Sequence, residues 1–294
     1  MLMIGVDVGG TGIKSALIDV SNPADPKSYR IIDSYSLPTQ GRSGPDVVCG
    51  NIERAIRQFD LSTVEHIGVA SAGTIDWDTG KVTFATEVLK GFTGLELSKE
   101  LSKRMGRRVV VINDAVGALV AEAFMGVAQE YPSVMMLTLG TGLGVSWMTS
   151  RTLNQDTFVD TRMGHVCLHE NGRPCVCGKS GCAEQYVSAT ALRKSSGQDD
   201  LCAVFECKSP KCQQAVNDFF SDMLSVIDIL IERYHPSAIV IGGGVIELRS
   251  LWWEKFLELY CARHNTPLLP ATLGNKAGVM GAAFCAANGT FAKQ

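Results

Sequence analysis

The chain has 294 residues and a formal net charge of -3, with a pI near 6.0. Its 27 Lys and Arg are scattered among 30 Asp and Glu, which leaves no electrostatic footprint for nucleic acid. The length suits two lobes of ordinary domain size, and no Pro-rich or Gly-Ser linker divides it, so a lobe boundary must pass through structured segments. The opening MLMIGVDVGG breaks at Asp7 and Gly9, far short of the ~20 apolar residues of a membrane span. A buried strand is expected there, with no membrane partner. No secretory signal accompanies the ten Cys, so a reducing, cytoplasmic location is expected.

Met3 to Val8 is an apolar run ending in a glycine turn, and Ile13 to Ile18 resumes with β-compatible residues. The two predict a hairpin around GGTG. Tyr35 to Leu37 reads as a third strand, Val47 to Phe59 as a helix and His66 to Ser71 as another strand. Leu95 to Met105 predicts a helix, Val109 to Ile112 a buried strand, and Ala115 to Phe124 an Ala-rich helix. Asn113 and Asp114 stand between the last two, at a strand's carboxyl end, where open α/β sheets place their chemistry. Both residue types also serve simply as helix caps.

Val134 to Val145 repeats the pattern of strand and glycine turn, and the echo suggests a duplicated lobe. Val216, Phe219, Phe220, Met223, Ile227, Leu230, Ile231 and Tyr234 recur at helical steps, marking a long amphipathic helix closed by Pro236. Ala238 to Ile241 is a buried strand running into Gly242, Gly243 and Gly244. Gly278 to Ala287 reads as a small-residue helix packed closely against a neighbour.

The turns DVGGTG, LGTGLG and IGGGV each follow an apolar strand. Glycine there lets backbone N–H groups approach a phosphate. A lone glycine turn is more often a plain hairpin, and none matches a strict GxGxxG or Walker A loop, which makes a Rossmann dehydrogenase the weaker reading. Gly9, Gly10, Gly140, Gly142, Gly243 and Gly244 would cradle ATP. Thr11 and Thr141 offer hydroxyls to phosphate oxygens, and Asp7 is placed to hold hydrated Mg²⁺ unless it only stabilises its turn.

Between His165 and Glu184, HVCLHENGRPCVCGKSGCAE gathers Cys175, Cys177 and Cys182, with His165 as a fourth vertex. Three thiolates and one imidazole suit a closed, structural Zn²⁺ site. Cys167 and His169 leave the ligand choice open, and disulfides are the alternative use of the cysteines. Cys202, Cys207 and Cys212 recur every five residues, a spacing that neither a helix face nor a common zinc motif explains, and stay unassigned.

Together, DVGGTGIK, INDA, LGTGLG, the cysteine run and IVIGGGV resemble the ROK family of sugar kinases and repressors, within the actin superfamily, over nearly the whole chain. The resemblance implies an α/β fold: a duplicated two-lobe actin-like ATPase (ribonuclease H-like) fold with a structural zinc loop. Residues 1–117, joined by 278–294, would form the amino-terminal lobe and 118–277 the larger one. It implies an ATP-dependent sugar kinase acting on a hydroxyl, usually O6, of a hexose or N-acetylhexosamine. Asp114 would be the base. Gly73, Asn113, His165 and Glu184 would bind sugar, with His165, Cys175, Cys177 and Cys182 on zinc. A homodimer is implied as well.

Repressor members carry an amino-terminal helix-turn-helix segment, whereas this chain reaches its phosphate strand at residue 3, so the enzyme is expected over a sugar sensor without turnover. Arg162 stands where the family usually has a Glu that binds sugar, and Thr86 where Asn is frequent. A cation cannot accept hydrogen bonds from hydroxyls. Either Arg162 faces solvent or it recognises an acidic sugar, and weak turnover of plain glucose is expected.

Overall fold

The computed structural model describes residues 1–150, 153 and 161–289. Its chain divides into two compact units, Met1–Gln129 with the chain from Asn275, and Glu130–Thr149 with the chain up to Gly274.

In the first unit, β1 (Leu2–Val8) and β2 (Gly12–Val20) pair antiparallel, as expected from the apolar runs either side of GGTG. β3 (Tyr29–Pro38) lies beyond β2 and is longer than its apolar tip suggested. β4 (Val64–Ser71) runs parallel to β1, and β7 (Val110–Asn113) parallel to β4. A short ribbon, β5 (Thr74–Ile75) and β6 (Val82–Phe84), follows β4.

Strand alternation decides what each face carries. Ile4, Val6, Val8, Ile67 and Val69 enter one core with Val48, Ile52 and Ile56 of α1 (Pro45–Ile56) and Leu97 and Leu101 of α2 (Leu97–Met105). The opposite face offers Gly5 and Gly68 to α8 (Ala277–Asn288): a Cβ on either would meet the backbone of Val279 or Ala282. α8 also crosses α3 (Asp114–Phe124) at Gly281, whose Cβ would strike the Gly117 carbonyl. Its run of small residues is therefore a close-packing surface on both sides.

The second unit opens on the hairpin β8 (Val134–Leu139) and β9 (Leu143–Met148). β10 (Ala238–Gly242) runs parallel to β8, and β11 (Leu268–Pro270) parallel to β10. The order β9-β8-β10-β11 repeats the β2-β1-β4-β7 of the first sheet, the duplication that the echoed glycine turns suggest. Around this sheet lie α4 (Ala189–Ser196), α5 (Leu201–Glu206), α6 (Pro210–Tyr234) and α7 (Trp253–Cys261). Phe219, Phe220, Met223, Ile227 and Leu230 of α6 share a core with Leu137, Leu139, Ile239 and Ile241.

α6 starts earlier than its apolar periodicity predicts, because Ser209 caps it by accepting the Cys212 N–H and Pro210 takes the first turn. α1 stops at Ile56, short of the expected Phe59. Among the described residues, no helix is long and apolar enough to cross a membrane.

Candidate active site

The parallel strands β1, β4 and β7 end side by side: Asp7 is in register with Ala70, and Ala70 with Ile112. One residue on, Asn113 closes β7 and caps α3, its side-chain oxygen accepting the Val116 N–H at 3.1 Å. The capping role is therefore real, but it uses only one end of the amide. The Asn113 Nδ2 donates to the Gly73 carbonyl at 2.7 Å and to Asp114 Oδ1 at 2.9 Å. Gly73 has φ +104, and a Cβ there would meet the Phe84 carbonyl, so the loop after β4 requires glycine.

Asp114 begins α3, its Oδ1 accepting the Ala115 N–H at 2.9 Å. Burial, then the neighbouring Asp7 carboxylate, raise its pKa to about 6 despite the hydrogen bonds from Ala115 and Asn113. Burial also raises Asp7, with Lys14 opposing. α8 approaches so closely that a Cβ at Gly278 would meet the Asp7 carboxyl. Asp7 near the end of β1 and Asp114 just past the end of β7 thus interact, and burial, then the Asp7 charge, makes Asp114 a stronger proton acceptor than an ordinary carboxylate.

The first glycine turn has supports that local pattern did not reveal. Thr39, fully buried, donates its hydroxyl to the Gly9 carbonyl at 2.6 Å, and its N–H to the Thr11 carbonyl at 3.1 Å. Asn51 in turn donates to the Thr39 carbonyl at 3.2 Å. The space a Cβ would take at Gly10 is filled by Val88, so the open part of this turn lies at Gly9 and Thr11.

In the second unit the turns after β8 and β10 are neighbours, since a Cβ at Gly243 (φ +85) would meet the Leu139 backbone. Gly140 and Gly244 face open space, which leaves room for a phosphate or nucleoside to approach the backbone. Glu184 Oε2 accepts the Leu143 N–H at 3.2 Å and lies where a Gly142 side chain would be. Thr141, Glu184, Ser188 and Lys194 line one small cleft. Lys194 carries no signal in the sequence that singles it out.

The ligand atoms of His165, Cys175, Cys177 and Cys182 all lie within 4.8 Å of one another. His165 Nδ1 is 3.5 Å from Cys175 Sγ, and Cys177 Sγ is 3.5 Å from Cys182 Sγ. Tetrahedral zinc with Zn–S near 2.3 Å spaces its ligands about 3.5–3.8 Å apart, so the donor set fits that ion. All ten cysteines are free thiols here. Cys167 is exposed and points at the Ser180 carbonyl, 3.9 Å away. His169 instead binds Asp222 of α6 at 2.8 Å. Arg173 ties the loop to the segment before α4 and to the last turn of that helix, donating to the Gln185 carbonyl at 2.8 Å and Ser195 Oγ at 3.0 Å. The side chain of Arg162 lies outside the described residues, as does most of the segment before it.

The model of the ROK family matches residues 3–288. The chain belongs to the ROK family. Among curated relatives, a glucokinase of Halalkalibacterium halodurans is 28% identical, with 95% of this chain and 92% of that protein covered. A xylose repressor of Bacillus subtilis is 24% identical over 95% of this chain and 75% of its own length. A ROK family glucokinase from Streptomyces griseus, solved with glucose and AMPPNP, superposes with a TM-score of 0.83 at 27% identity, covering 98% of this chain and 100% of that one. The two mixed sheets and these ROK neighbours fit the actin-like ATPase fold.

Proposed function

We propose that this ROK protein is a sugar kinase that transfers the γ-phosphate of MgATP to a hydroxyl, O6 by preference, of a hexose or N-acetylhexosamine. The observation that carries the reading is the placement of Asp114 at the strand end, beside Asp7, with its pKa raised to about 6. Kinase relatives support the substrate class.

Asp114 Oδ1 is engaged by Asn113 and Ala115, so Oδ2 is the oxygen that accepts the hydroxyl proton as the sugar oxygen attacks phosphorus. Asn113, held to the Gly73 carbonyl, fixes the angle of that carboxylate and keeps one lone pair of its Oδ1 for a sugar hydroxyl. Asp7 supplies the acidic oxygen suited to hydrated Mg²⁺, next to the nucleotide-binding turn of Gly9, Gly10 and Thr11. Gly140, Thr141, Gly142, Gly243 and Gly244 are nucleotide-binding residues as well in this reading. Little covalent work is asked of the protein; positioning and charge neutralisation dominate phosphoryl transfer.

His165, Cys175, Cys177 and Cys182 hold zinc in this reading, and the ion, when bound, contributes a fixed charge that keeps the thiolates together. Since Nδ1 faces the sulfurs, His165 presents Nε2 as its sugar-binding edge. Glu184, at the far end of the same loop, orders the second glycine turn through Leu143 and accepts sugar hydroxyls with its remaining lone pairs. Two lobes, 1–117 with 278–294 and 118–277, and a homodimeric assembly complete the proposal.

A coupled ADP-release assay across hexoses, N-acetylhexosamines and acidic sugars tests it. Turnover on at least one is expected. A second reading, sugar sensing without turnover, draws on Arg162 at a sugar-side position and on the repressor relative. Binding by thermal shift with no turnover on any sugar would favour it.

A further inference from the structure

The thiols left unassigned by the kinase reading meet at the elbow between α5 and α6. Cys207 caps the end of α5, and Cys212, 1% exposed, sits in the first turn of α6. Between them Ser209 accepts the Cys212 N–H on its Oγ at 3.3 Å and places that same Oγ 3.1 Å from Cys207 Sγ. Gln198 Nε2 reaches Cys212 Sγ at 4.0 Å. Hydrogen bonds from the Cys212 thiol, then the Ser209 hydroxyl and amide, hold the Cys207 thiol below its ordinary pKa. A thiol so held is the setting of a reactive thiolate, and a second thiol stands in the first turn of the next helix.

The other cysteines with shifted affinity point the opposite way. Burial pushes Cys49 up to about 11, and it raises Cys285 and, with Glu206, Cys202. Cys177 belongs to the zinc cluster.

We propose that Cys207 and Cys212 form a peroxide-oxidisable dithiol, a modification site separate from the phosphotransfer machinery. The Cys207 thiolate attacks one oxygen of hydrogen peroxide, the O–O bond breaks, and hydroxide leaves and takes up a proton as water. The resulting sulfenic acid is attacked by the Cys212 sulfur, an S–S bond forms, and a second water departs with the sulfenic oxygen. Two thiols are oxidised by two electrons, and one peroxide is reduced to two waters. The loop closed is short, and Ser209 Oγ, which lies against Cys207 Sγ and accepts the Cys212 N–H, already joins the two residues at one elbow. A free dithiol in a reducing compartment suits a transient, sensing disulfide rather than a structural one.

The test treats zinc-loaded, fully reduced protein with hydrogen peroxide and maps thiols by peptide mass spectrometry under non-reducing conditions. A Cys207–Cys212 linked peptide, lighter by two hydrogens and reversed by dithiothreitol, is expected before Cys167 or Cys261 is modified. In Cys212→Ser the reaction is expected to stop at a Cys207 sulfenic acid that dimedone traps, and in Cys207→Ser neither product forms. Oxidation of Cys167 or Cys261 with no 207–212 link, or a first disulfide elsewhere, would overturn the proposal. Phosphotransfer plays no part in this readout, so its outcome is independent of the kinase assay.

Discussion

Asn113 Nδ2 bridges the Gly73 carbonyl, at 2.7 Å, and Asp114 Oδ1, at 2.9 Å. A residue that caps a helix with its oxygen thus ties the loop after β4 to the proposed base with its nitrogen. Replacing Asn113 by Asp removes both donated bonds and adds a negative charge. Turnover is expected to fall by ~10² or more, on the scale of lost positioning. Steady-state kinetics on the best sugar, with circular dichroism to check folding, would show it, and native kcat would contradict the bridge's role.

The pKa of Asp114 near 6 sets an acid limb in the kcat/KM profile: the rate climbs as pH rises through about 6 and levels above it. Asp7 is the second cause of that elevation, so Asp7→Asn should move the limb to lower pH even as it weakens Mg²⁺ dependence. A limb that stays in place would remove the coupling between the two carboxylates.

The same shift has a stability consequence whose sign is opposite to that of a salt-bridged carboxylate. Folded Asp114 holds its proton up to about 6, whereas the unfolded group releases it near 3.8. Stability therefore falls as pH rises between those values and stays reduced above them. Asp114→Asn should stabilise the fold above pH 6 by up to about 3 kcal/mol, read by denaturant titration at pH 5 and 8, with the larger gain at pH 8.

Thr39 was invisible to motif reading because its partners, Gly9 and Thr11, are far from it in sequence and meet it only once β2 and β3 pair. Burying its hydroxyl on the Gly9 carbonyl commits it to the first turn. Thr39→Val leaves that carbonyl unpaired at a cost of about 1–3 kcal/mol, and KM for ATP should rise more than KM for sugar. Thr39→Ser should restore it.

What the sequence made legible follows the same division. Strands beside glycine turns and the cysteine run are local signals, and they point to the two hairpins and to the gathering of His165, Cys175, Cys177 and Cys182. The order β9-β8-β10-β11 was legible only as an echo. β11 and the β5–β6 ribbon are too short to show a periodic run, whereas α7 carries a helical signal in the spacing of Trp253, Phe256, Leu257 and Tyr260. α4 and α5 are too short for one. The early start of α6 was signalled by Ser209 and Pro210 but masked by the polar residues of its first turns.

Zinc removal by chelation should raise the sugar KM more than the ATP KM, since His165 and Glu184 bracket the loop whereas Gly243 and Gly244 lie outside it. Cys177→Ser should lose the metal in elemental analysis. An unchanged sugar KM in folded, stripped protein would leave the loop a structural brace alone. Arg162 carries a related expectation: kcat/KM on plain glucose below about 10⁴ M⁻¹s⁻¹, improved by Arg162→Glu if the position meets sugar hydroxyls.

The central claim is that Asp114 deprotonates a sugar hydroxyl. Single-turnover phosphoryl transfer by Asp114→Asn, with sugar affinity measured in parallel by calorimetry, tests it most directly. A loss of ~10²–10⁴ in the transfer rate with sugar affinity kept within a few fold is the predicted result. Transfer at the native rate would contradict it.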